Sequence, residues 1–205
     1  MDDLSLAETG IIQYDWLTSM LITRRLFVSV PLSDRLQKRL SAEVSQWKTY
    51  PVIPTRPGNF QVTLLFLGFI MEEEIPRIIE ALEDAVVDIE PFELHLTEIK
   101  AEPDEHPTMV WFSGEPSEEL LRLRNQVAES LDYLSPGSKS FRPHVTLAKV
   151  RRGKFEALET KPDFSKTLNV VESVDSITLF ESTTENGKRV YLPLAEFPLG
   201  GEIEK

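Results

Sequence analysis

The stretch Phe141-Arg142-Pro143-His144-Val145-Thr146-Leu147-Ala148-Lys149 alternates polar and apolar residues after its proline. In a strand, His144 and Thr146 share one face, with Val145 and Leu147 beneath. An imidazole beside a hydroxyl on the wet face of a sheet can hold a phosphate and move a proton near neutral pH. A second stretch echoes the first: Phe60-Gln61-Val62-Thr63-Leu64 and Pro143-His144-Val145-Thr146-Leu147 share Val-Thr-Leu. Two such strands across a groove place side chains on opposite sides of one phosphorus, which suits an in-line displacement.

Upstream, Leu26–Val30 is a short apolar strand closed by Pro31. Leu36, Leu40, Val44 and Trp47 make one stripe of a helix over Asp34–Trp47, with Ser33 as its N-cap. Residues 48–58 carry Pro51, Pro54, Pro57 and Gly58 and read as a loop. Phe60–Leu67 is a strand, and Glu72–Val87 a helix striped by Ile75, Ile78, Ile79, Leu82 and Val86. Phe92–Ile99 and Met109–Ser113 are strands. Ser117–Leu134 is a third helix, followed by a turn at Ser135–Ser138. His144–Val150, Val174–Glu181 and Arg189–Leu194 complete the strands, the last two flanking the hairpin signal Asn186-Gly187. Many short alternating strands with three helices predict an α+β fold with largely antiparallel sheets. Domain organisation is expected as an extension over residues 1–23, one domain over 24–200 and a tail over 201–205.

The 205 residues carry 22 basic and 34 acidic side chains, a net charge of −12. Binding to duplex nucleic acid relies on basic surface, so it is not expected. The chain has no cysteine, which excludes thiol catalysis and Cys-ligated metal. With only three histidines, a transition-metal site is not expected either. The longest apolar stretch, Val62–Met71, falls short of the ~20 residues that span a bilayer. Asp2, Asp3 and Glu8 are the reverse of a signal peptide's charge. A cytoplasmic monomer without membrane contact is the expectation.

These motifs resemble the two-histidine (2H) phosphoesterase superfamily, and within it the RNA 2',3'-cyclic phosphodiesterase or 2'-5' RNA ligase-like branch. The resemblance runs from about Arg25 to Leu199. Phe141–Lys149 is similar to the second His-x-Thr-x (HxTx) signature, and Asn59–Gly68 to the first. Arg25–Val30 matches the opening strand; Val174–Ser182 and Tyr191–Phe197 match the closing hairpin. The resemblance implies two pseudo-symmetric lobes of antiparallel sheet, backed by helices, around a central groove. It implies that His144 is catalytic and that Thr63 and Thr146 bind phosphate. Lys149 stands where relatives carry a basic residue. No cofactor is implied.

One position departs from the signature. The first motif should begin with His, and here that position is Gln61. An amide donates and accepts hydrogen bonds but does not titrate near neutral pH. The expectation is a groove that takes RNA ends or small nucleotide phosphates and opens 2',3'-cyclic phosphates poorly or not at all. The alternative is a non-catalytic module binding RNA ends or nucleotide phosphates. Arg142 and Lys149, with Arg151 and Arg152, form a short basic run suited to phosphate. Phe141 is a candidate base-stacking platform. Trp47 and Trp111 are expected in the core or the groove walls. His95-Leu96-Thr97 is an intact His-x-Thr without the flanking signature, so His95 is read as an exposed strand histidine. His106 reads as a loop residue.

Overall fold

The computed structural model describes residues 22–134 and 141–200. The turn expected at Ser135–Ser138 and most of the N-terminal extension lie outside them. The elements run β1 (Thr23–Pro31), α1 (Asp34–Ser45), β2 (Val52–Pro54), β3 (Gln61–Met71), α2 (Ile75–Val86), β4 (Phe92–Glu102) and β5 (Met109–Ser113). There follow α3 (Glu118–Ser130), β6 (His144–Val150), α4 (Arg152–Glu156), β7 (Lys166–Val174), β8 (Ser176–Glu185) and β9 (Lys188–Pro198). The fold is α+β with a large antiparallel sheet, as the sequence predicts.

The strand order is β7-β4-β5-β6-β3-β1-β8-β9, with β2 on the free stretch of β6. Four strands lie on each side of the β6–β3 junction. That junction is narrow: its ladder consists of one residue pair, Val62 opposite Val145. Elsewhere neighbouring strands share at least three residue pairs, and the ladder of Ser176–Glu185 against Lys188–Pro198 is much longer. The sheet is therefore two lobes hinged at a single antiparallel pair.

The helices cover one face. Leu36, Leu40 and Val44 of α1, Ile78 and Leu82 of α2, and Leu120, Leu123 and Val127 of α3 are all buried. Ser33 and Ser117 cap α1 and α3, each hydroxyl accepting from the N–H three residues on, at 3.3 and 3.2 Å. α1, which follows β1, packs on β6, and α3, which joins β5 to β6, packs on β3, so each backs the central strand across the junction. This crossing ties the lobes together beneath the thin junction.

Several sequence boundaries need correction. The segment read as loop over 48–58 contains β2, which pairs Ile53 with Lys149. The second helix starts at Ile75, after a 3-10 turn over Glu72–Glu74. The third ends at Ser130, with a 3-10 turn over Asp132–Leu134. Val174 belongs to β7, not β8. β7 itself was not expected, because its inward series Leu168, Val170, Glu172, Val174 is broken by a glutamate. Glu172 is used locally: its carboxylate accepts from the Ser33 N–H at 2.5 Å, at the start of α1.

Gly114, just past β5, lies against β4. A Cβ there would stand 2.0 Å from the His95 carbonyl oxygen, a backbone atom that cannot turn aside. Gly114→Ala should therefore destabilise by ~1–3 kcal/mol, the usual scale for overpacking. Urea unfolding checks this; an unchanged midpoint would contradict the close approach.

Candidate phosphate site

The junction pair orders the site. An antiparallel pair has a local two-fold axis between its members. Here it exchanges Val62 with Val145, Gln61 with His144 and Thr63 with Thr146. Val62 and Val145 are fully buried toward the helices, and so are Leu64 and Leu147. By alternation Gln61, Thr63, His144 and Thr146 all project from the opposite face. The structure thus brings these four predicted residues together. Gln61 and His144 stand on a diagonal, about 8 Å between Cα atoms in an ideal ladder.

Strict alternation would turn Lys149 toward the core. A bulge at Leu147 prevents this, since β5 pairs Val110 with Ala148 but Trp111 with Thr146. Ala148 then faces inward, fully buried, and Lys149 emerges on the site's face opposite Met109 and Ile53.

His144 is half-buried. Its Nδ1 lies 2.7 Å from the Arg142 carbonyl oxygen. A carbonyl can only accept, so Nδ1 carries the proton, and the neutral ring leaves its Nε2 lone pair free. Burial holds the imidazole below its ordinary value of 6.5. The Arg142 carbonyl bond and the Glu102 charge oppose this, and the Arg142 charge reinforces it. On the other lobe, Gln61 is 6% exposed and its Nε2 is buried with no hydrogen-bond partner.

Two predicted residues are placed differently from the central four. Arg142 sits at the rim, its guanidinium 2.6 Å from Glu102 and 5.3 Å from the centre of the Trp111 ring. Phe141 packs against the core, with the Arg124 guanidinium 5.9 Å above its ring. The aromatic face at the site belongs to Trp111, stacked on the His144 imidazole with centroids 3.9 Å apart. Trp111 and Ser113 alternate with the buried Val110 and Phe112, and that pattern is visible in Met109–Ser113.

His95 is exposed on β4, 3.6 Å from Glu93. It lies two strands and three residues from His144, about 14 Å by strand geometry. Beside it is an open cleft of about 580 Å³, lined in part by Phe92, Ser117 and Arg122. Among the described residues, no cluster of three His, Cys, Asp or Glu side chains could hold a metal ion. No helix there is long and apolar enough to cross a membrane.

The chain is similar to known proteins in sequence and in fold. The family model described as the 2'-5' RNA ligase superfamily matches residues 61–186. An Archaeoglobus fulgidus protein named RNA 2',3'-cyclic phosphodiesterase is 34% identical over 131 residues, 62% of this chain and 73% of that protein. A Thermus thermophilus protein of the same name is 30% identical over 190 residues, 87% of this chain and 91% of its own. A crystal structure of a Thermus thermophilus protein superposes with a TM-score of 0.76 at 25% identity, covering 87% of this chain and 99% of that one. Escherichia coli LigT complexed with 3'-AMP shares the fold, with a TM-score of 0.70 at 20% identity over 88% of this chain and all of that one.

The His144 geometry has a consequence for stability. Between the depressed folded pKa and the ordinary value, the unfolded chain binds a proton that the folded chain does not. Stability is then full above about pH 6.5 and falls as pH drops through that window. The wild-type urea midpoint should fall relative to His144→Gln between about pH 8 and pH 5. A constant offset between the two proteins would contradict the buried neutral ring.

Proposed function

The chain belongs to the 2'-5' RNA ligase superfamily, and we propose that it binds RNA ends bearing a 2',3'-cyclic phosphate and opens them slowly to the 2'-phosphate. The observation that carries this reading is the two-fold set Gln61, Thr63, His144 and Thr146 on one face of the β3–β6 junction. Thr63 and Thr146 offer hydroxyl donors to the non-bridging oxygens from either side of the axis. Lys149 adds a positive charge on the same face, and Arg142 borders it, as the short basic run suggests.

His144 supplies the proton chemistry. Its neutral Nε2 can take a proton from water as that water attacks phosphorus. The departing O3' oxygen needs a proton from the opposite side. Gln61 occupies that side, and an amide has no proton to give near neutral pH, so O3' takes its proton from solvent water and leaves slowly. Binding is kept and turnover is impaired, because half of an acid–base pair is missing. The relatives named as RNA 2',3'-cyclic phosphodiesterases support the substrate class. With no turnover at all, the same four side chains would still describe a module that holds RNA ends or nucleotide phosphates.

The test is hydrolysis of an oligoribonucleotide ending in a 2',3'-cyclic phosphate by the wild type and by Gln61→His. Restoring one positioned acid–base group should raise the rate ~10²-fold or more. Rates equal within a few-fold would show that Gln61 does not limit the reaction.

A further inference from the structure

The local two-fold is broken one strand out from the junction. Ser29 of β1 pairs with Thr63. Its two-fold counterpart is Trp111 of β5, which pairs with Thr146. The lobe that carries Gln61 has a small hydroxyl there, with Ser29 Oγ buried and unpartnered. The lobe that carries His144 has an indole.

That indole lies flat on the imidazole, with centroids 3.9 Å apart and planes 22° from parallel. It is itself held. The Arg142 guanidinium stands 5.3 Å from its ring centre and is anchored by Glu102, which also lies 3.7 Å from Lys100. Lys100 is Trp111's ladder partner on β4. A histidine ring has two free torsions. The Arg142 carbonyl fixes where Nδ1 points, and a flat neighbour fixes the ring plane. Together they leave Nε2 directed away from the backbone, toward the face that Thr63 and Thr146 share.

We propose that Trp111 is a positioning residue for His144: its indole face holds the imidazole plane, keeps Nε2 aimed into the groove and shields the ring from water. The inference rests on the phosphate-site reading above for its purpose, though not for its geometry. The charges that face His144 are Arg142 on its own segment and Glu98, Lys100 and Glu102 from β4. Thr63 of β3 and Ser113 of β5 face it without charge.

The test uses the full chain in the absence of ligand. Nitrogen-15 NMR should show His144 as the Nδ1–H tautomer, titrating below the ordinary imidazole value. In Trp111→Leu the tautomer preference should weaken and the titration should move up toward that value. Trp111→Phe keeps a flat face and should restore most of both. In the wild type, an imidazolium stacked on an indole quenches its fluorescence. The Trp111 signal, taken as wild type minus Trp111→Phe, should therefore fall as His144 protonates and lose that step in His144→Gln. An unchanged tautomer and titration in a folded Trp111→Leu would overturn the proposal. So would a flat Trp111 fluorescence through the His144 titration, which decides the matter if Trp111→Leu does not fold. Adding 2'-AMP separates the two readings. If it leaves His144 unmoved, the phosphate site fails while the positioning result stands.

Discussion

One antiparallel contact, Val62 against Val145, governs how this molecule presents its site. Both valines are fully buried, so they cannot turn toward solvent without exposing apolar surface. Their burial forces the residues on either side of each valine onto the opposite face. A slip of one residue at this junction would turn Gln61, Thr63, His144 and Thr146 toward the helices and the valines away from them. The ladder is too short to resist such a slip alone. The crossed helices supply the missing constraint, since α1 and α3 each pack on the other lobe's central strand.

Much of this was legible in the sequence because it is local. The stripes of α1, α2 and α3 repeat at helical spacing, and Ser33 caps α1 where its position predicts. The alternation in His144–Leu147 is visible in the residues themselves. The twin Val-Thr-Leu cores even indicate which two strands meet. The features that were not legible depend on neighbours distant in the chain. β7 is hidden because Glu172 occupies an inward position, and its reason for being there is the start of α1, well over a hundred residues away. Lys149 reaches the groove face only through a bulge defined by β5. The Trp111–His144 stack joins separate strands, so neither residue's immediate sequence announces it. Phe141 directly precedes the motif, yet its ring belongs to the core.

The two lobes show what a pseudo-symmetric scaffold can and cannot impose. The backbone repeats, and so do the threonines and the buried valines. The chemistry does not repeat. One lobe holds an imidazole whose tautomer and plane are set by a carbonyl and an indole. The other holds a buried amide beside a buried hydroxyl, each with an unpartnered polar atom. A buried polar atom left without a partner costs ~1–3 kcal/mol. The fold tolerates that cost on one lobe while its counterpart is fully organised.

If the junction face is a phosphate site, a phosphate ester must be felt by His144, Thr63 and Thr146 together. The most direct measurement is an NMR titration of the labelled full chain with 2'-AMP, following the His144 ring nitrogens and the Thr63 and Thr146 amides. Saturable shifts are expected at all three residues with one common dissociation constant. Saturable binding that moves other resonances and leaves these three unchanged would contradict it.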